Sequence, residues 1–358
     1  MGVDRELEAL PSDEMLVERF SQGGELTRPE LAVLLAYAKM QVKQALAGTQ
    51  LLKDPDVAFL LHSAFPTQLV ERYEHSVNGH RLAEEILATQ IANDLVHHVG
   101  VTFVMHLREL VGGTVEEIVR AYLVAAAVLD LRAQWREIDA LEIDEQTRLD
   151  MLLELVRLTR RTARWFLRHR RSDRSVGVLV NEFRNAVLEL ASNRSEFMGE
   201  HTGAQWREQA ARWQSAGVPQ KIAERAANAG EFGAALPIIH AARDRNQDVL
   251  ALAHRFTALG EVLQLGWLTT VLSSLPTTSH WQAMERDSVL DEVTTHQGLL
   301  AARTLASHDD VDAWLAEHPA FESIWRQMMD DVKQAGTGDF SMYAMTCRKL
   351  TDLCRTLD

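Results

Sequence analysis

Gln90, Asn93 and Asp94 interrupt a stretch that is otherwise apolar from Ile86 to Val96. Gln90 lies three positions from Asn93 and four from Asp94, so it shares a helix face with both. Two uses fit such a trio. One is a ligand or effector pocket between helices. The other, which we expect, is a buried hydrogen-bond network that fixes helix packing, because a buried amide needs partners. Histidines follow closely at His97, His98 and His106, and His75 and His80 flank a turn. None of these has the i, i+4 spacing of a helical metal pair, no His-Glu-x-x-His occurs, and no metal site is expected. Cys347 and Cys354 are the only cysteines. Seven residues apart on a helix, they cannot close a disulfide along it, and they read as reduced, packed thiols.

Arg157, Arg160, Arg161, Arg164 and Arg168 recur at helical spacing. The expected reading is a solvated face toward a helix C-terminus, where cations suit the macrodipole. The sharper reading is a docking stripe for an acidic surface, or arginine forks for an acidic ligand. Nucleic acid is a poor partner for a chain whose 37 basic and 51 acidic residues leave a net charge of −14. Hydride chemistry on a nicotinamide needs a glycine-rich turn between a strand and a helix. The nearest glycine cluster, Gly336-Thr337-Gly338, lacks the third glycine and follows a helical pattern, so it reads as a helix connection. The residues name no catalytic, cofactor-binding or metal-ligating group.

The elements that carry these groups are written as helices. Thr27 and Glu30 form a capping box around Pro29, in the first turn. Beyond it Leu31, Leu34, Leu35, Ala38, Val42 and Leu46 recur at helical spacing, with Val33, Ala36, Tyr37 and Met40 on the other side. A helix apolar nearly all round is buried on several sides, so a central helix is expected near 28–47. Thr114 and Glu117 make a second capping box, Asp144 caps a long amphipathic helix, and Asp54-Pro55 opens a short one. No stretch alternates as a half-buried strand does. The expected fold is all-α, a multi-helix assembly of about 14 to 16 helices with no Rossmann domain. The polar stretch 193–203 reads as a connector between an N-terminal helical subdomain, 1–192, and a C-terminal one, 204–358. No apolar run approaches the roughly 20 residues of a membrane span, and the start carries no apolar signal core, so the expected location is cytoplasmic, with no membrane partner.

The segment Thr27-Arg28-Pro29-Glu30-Leu31-Ala32-Val33-Leu34-Leu35-Ala36-Tyr37-Ala38-Lys39 resembles the opening of the C-terminal region of the large bacterial NAD-specific glutamate dehydrogenases. The resemblance is dense at Glu85-Ile86-Leu87-Ala88-Thr89-Gln90-Ile91-Ala92-Asn93-Asp94-Leu95-Val96. It returns at Thr162-Ala163-Arg164-Trp165-Phe166-Leu167, Ala216-Gly217-Val218-Pro219, Gly266-Trp267-Leu268 and His280-Trp281-Gln282-Ala283. It begins almost at once, at Val3, so Met1-Gly2 is expected to mark a cut in a longer chain. In that family the catalytic lysine and aspartate, the substrate-binding residues and the Rossmann domain lie upstream, and no position here matches their motifs. The resemblance therefore implies a segment that binds no cofactor itself, in a parent that uses NAD to convert L-glutamate and water into 2-oxoglutarate and ammonium. Its role would be structural, in assembly, or regulatory. Its partners would be the catalytic domain of the same chain and, in a homo-oligomer, other copies of the parent. The surface facing that catalytic domain would show as an exposed apolar patch. The alternative is an independent cytosolic helical protein-interaction scaffold.

Overall fold

A computed structural model describes residues 4–169, 174–227, 234–277, 279–308, 310–336 and 340–355. Thr337 and Gly338, and the polar run 170–173, lie outside the described residues, as do Met1, Gly2 and Val3. Twenty α-helices and two 3-10 turns, with no strand, make up the described chain. In order they are α1 (Asp13–Ser21), α2 (Arg28–Leu46), the 3-10 turns Gln50–Lys53 and Pro55–Val57, α3 (Ala58–His62), α4 (Thr67–Asn78), α5 (Ala83–Val99), α6 (Phe103–Val111) and α7 (Val115–Val128). Then come α8 (Leu131–Asp139), α9 (Glu145–Arg168), α10 (Val176–Ser192), α11 (Arg194–Phe197), α12 (Glu200–Ser215), α13 (Gln220–Ala227) and α14 (Ala235–Asp244). The last are α15 (Val249–Val262), α16 (Leu265–Ser274), α17 (His280–Ser307), α18 (Val311–Glu317), α19 (Pro319–Gln334) and α20 (Phe340–Arg355). The all-α expectation holds, with more and shorter helices than expected. Short helices such as α8, α11 and α18 carry too few turns to show a clear period.

The chain divides into two compact units, one of Met1–Ala126 with Thr159–Val180, the other of Ala127–Leu158 with Asn181–Asp358. This differs from the expected split into 1–192 and 204–358. The stretch 193–203 is also not an unstructured connector, since α11 and the start of α12 lie in it.

In the first unit α5 is the hub. Leu87, Ala88, Ile91, Ala92, Leu95, Val96 and Val99 are buried along it, and α2 and α3, which bury Val42, Leu46, Leu60 and Leu61, pack on it. Each Leu, Ile or Val among them contributes about 1.5 to 3 kcal/mol on burial. The expected central helix is not central. α2 buries only Ala38, Val42 and Leu46, while Leu31, Leu35 and Met40 are exposed. Apolar residues around a helix mark what it can bury, and only the second half of α2 reaches α5.

In the second unit the long α17 fills that place, packing with α14, α15, α16, α18 and α20. Val289, Val293, Leu300, Ala301 and Ala302 form its buried stripe. Buried polar groups there find partners across helices: Gln297 Nε2 donates to the Phe256 carbonyl at 2.8 Å, and Trp325 Nε1 to that of Leu263 at 2.9 Å. No helix among the described residues is long and apolar enough to cross a membrane.

Candidate functional site

A buried polar cluster of the first unit joins α5 to α7. Tyr122, fully buried on α7, donates its hydroxyl to Asp94 Oδ2 at 2.8 Å, and the same oxygen stands 3.2 Å from the Asp94 carbonyl oxygen. His98, one turn beyond Asp94 and also buried, places Nδ1 2.8 Å from the Asp94 carbonyl and 3.2 Å from the Tyr122 hydroxyl. A carbonyl only accepts, so Nδ1 carries a proton. Asp94 Oδ1 lies 3.4 Å from that nitrogen. The Phe103 ring meets Tyr122 edge-on at 6.0 Å and closes the apolar side. The arrangement ties α5 to α7 through side chain and backbone together and pins their register.

Of the trio read from the sequence, only Asp94 belongs to this cluster. Gln90 and Asn93 are half-exposed and make no side-chain hydrogen bond to the described residues, so the three do not form a closed buried network. Tyr122 and His98 replace them. Proximity in sequence offered no pointer to Tyr122, 28 positions from Asp94.

The arginine stripe does not remain a solvated face along its length. Arg157 is exposed and paired with Glu154. Arg161 and Arg168 are half-buried, and Arg164 is buried. Arg160 sends Nη2 to the Val99 carbonyl at 2.8 Å, serving one of the unpaired acceptors at the C-terminus of α5. Burial holds the Arg160 guanidinium below the usual arginine pKa. The α9 helix therefore uses part of its stripe internally.

Both capping boxes form as reciprocal pairs. Glu30 takes the Thr27 N–H at 2.7 Å, with the return bond to Thr27 Oγ1 at 3.5 Å; Glu117 takes the Thr114 N–H at 2.8 Å, with its return bond at 3.2 Å. Glu30 also receives Arg19 through both oxygens, at 3.0 and 2.8 Å. Arg19 first, and the Thr27 amide second, hold its carboxyl below the usual range.

A third polar assembly gave no signal in the sequence. The N-terminus of α10 is capped by two aspartates from the distant 3-10 turns. Val176 N–H donates to Asp54 Oδ2 and Gly177 N–H to Asp56 Oδ2, each at 2.8 Å, and Ser175 Oγ donates to Asp56 at 3.1 Å. A Cβ on residue 177 would overlap the Asp56 carboxylate, so only glycine allows this approach. Nearby, Glu116 accepts from the Leu51 amide at 3.0 Å and from Arg120 at 3.1 Å.

Cys347 and Cys354 are buried and form no disulfide. Burial, with a smaller contribution from Glu292, pushes the Cys347 thiol up to about 12. Among the described residues no cluster of His, Cys, Asp and Glu has the makings of a metal site.

The profile of the family described as "Glutamate dehydrogenase, C-terminal" matches residues 23–352. Three relatives carry the name NAD-specific glutamate dehydrogenase. The one from Halomonas elongata is 35% identical over 99% of this chain, that from Pseudomonas aeruginosa 34% over 99%, and that from Mycobacterium tuberculosis 31% over 99%. The chain spans 22% of the length of each.

Proposed function

On the premise that the chain belongs to the glutamate dehydrogenase C-terminal family, we propose that it is the helical scaffold region of an NAD-specific glutamate dehydrogenase whose chemistry resides elsewhere in a longer polypeptide. The parent would oxidise L-glutamate with NAD, releasing 2-oxoglutarate and ammonium. The observation that carries this reading is that nearly all of this chain aligns with about a fifth of each relative, and that every regular element described in that fifth is a helix. A dinucleotide site is built at the C-terminal edge of a parallel sheet, where a strand hands the chain to a helix through a glycine turn. Such a site belongs to the remaining four-fifths.

The polar assemblies support a structural role. Asp94–Tyr122–His98, Arg160–Val99 and Asp54/Asp56–α10 each spend their side chains on other parts of this chain. Their work is to hold helices in register, as a scaffold requires. The test compares the full-length enzyme with a version ended before α1, by glutamate-dependent NAD reduction, light scattering and thermal unfolding. Loss of assembly or stability, with substrate binding retained, is the expected result. A truncated enzyme indistinguishable from the intact one in all three would overturn the reading.

A further inference from the structure

The apolar stripe of α2 runs through Leu31, Leu35, Ala38, Val42 and Leu46, at spacings of three and four that keep it on one face. From Ala38 onward this stripe is buried against α5. Its first turns are not: Leu31 is 43% and Leu35 38% exposed, and Ala32 and Ala36 beside them are exposed as well. The same face thus passes from a packed interface into the open without a change in its chemistry.

Helix α1 repeats the pattern. It buries no residue in its own unit, yet it presents Met15, Val17 and Phe20. Polar contacts hold this region to α2: the two-oxygen fork of Arg19 on Glu30, and the Tyr37 hydroxyl donating to Glu8 at 3.0 Å. A helix pair fixed by one ion pair and a hydrogen bond while its large apolar side chains face outward is built to be covered.

We infer that this face, centred on Leu31 and Leu35 of α2 and joined by α1, docks on the portion of the same polypeptide that precedes it, an inference that rests on the reading of this chain as the C-terminal region of a longer enzyme. Three observations select that occupant. The relatives carry about four-fifths of their length outside the aligned region, and for a C-terminal family most of that length precedes α1. The exposed face lies on the first two helices, beside the point where the preceding chain arrives, so a tethered partner meets it at high effective concentration. The face also continues a stripe already buried against α5, so one helix would join the two regions.

The experiment is hydroxyl-radical footprinting of the native full-length enzyme, read by mass spectrometry at single residues. Leu188 is the internal reference, since it is a leucine of similar exposure, 48%, on a different helix. Leu31 and Leu35 should be modified several-fold less than Leu188, and unfolding in denaturant should abolish the difference. Equal modification of all three in the native enzyme would overturn the inference. Protection that vanishes when the assembly is diluted to single subunits would give the face to a second copy, which also overturns it. Glutamate-dependent NAD reduction is measured on the same sample. An active enzyme with unprotected Leu31 and Leu35 defeats this docking surface alone, whereas an intact chain without that activity defeats the proposed parent reaction and leaves the protection to be read independently.

Discussion

At the scale of single residues, Gly177 has the most sharply defined role. Its amide feeds Asp56, and any side chain would push that carboxylate away. Gly177→Ala should cost about 1 kcal/mol, through loss of the Asp56 cap as that carboxylate turns aside, and denaturant unfolding would show it. Tyr122→Phe keeps the ring and removes the donor to Asp94, leaving that carboxylate short of a partner; roughly 1 to 2 kcal/mol of stability should go with it. Cys347 makes a pH prediction. Its thiol ordinarily ionises near 9.0 and is pushed up to about 12 by burial. Above pH 9 the unfolded chain releases this proton while the folded chain keeps it. Stability from this group is therefore complete below pH 9 and declines as pH rises toward 12, by at most about 1.4 kcal/mol per pH unit. Cys347→Ala should flatten that decline in unfolding titrations, and thiol reagents should leave Cys347 unmodified until the chain unfolds.

The two capping boxes are the same device on helices with different burial, and this separates their effects at the scale of the element. α7 is a core helix, with Ile118, Val119, Tyr122 and Val124 fully buried. Thr114→Ala should lower global stability by about 1 kcal/mol. The first half of α2 is peripheral, so Thr27→Ala should appear chiefly as faster amide exchange within 28–35, with a smaller change in global unfolding. These caps were legible in the sequence because every partner sits within three residues, where local geometry decides. The Asp54 and Asp56 cap on α10 was not, since its partners are brought together only by tertiary folding. Burial on α2 was misread for a related reason: apolar periodicity records what a helix can bury, and Leu31 and Leu35 have that capacity without using it in this chain. Gln90 and Asn93 read as network members from their neighbours along α5, yet both stay half-exposed and make no side-chain hydrogen bond among the described residues. The arginines of α9 mislead in the opposite sense, since a charge run reads as solvated until Arg164 turns out to be enclosed.

At the scale of the whole molecule, the proposed division of labour makes a direct thermodynamic prediction. Calorimetric titration of NAD and glutamate into the chain of residues 1–358 should give no binding heat, while the full-length enzyme binds both. Saturable NAD binding to this chain alone would place a nucleotide site among helices and reopen the proposed role. The all-helical class was legible because no part of the sequence alternates and helix signals recur throughout. The split into two units was less so, because both units are discontinuous in sequence, and composition cannot show where a chain leaves a unit and returns.

That discontinuity bears on how the molecule is made. The unit begun by Met1–Ala126 is finished only by Thr159–Val180, and its far end is fastened when Val176 and Gly177 reach Asp54 and Asp56. A ribosome delivers chain from the N-terminus at about 5 to 20 residues per second. During that interval α5 and α7 can already pair through Asp94 and Tyr122, but the unit stays open on the side that α10 will close. Residues between 127 and 158 must emerge and be held in reserve before closure. A nascent chain whose emerged part ends short of Val180 should therefore display a unit open to chaperones and proteases, and emergence of residues 176–180 from the ribosome should close it.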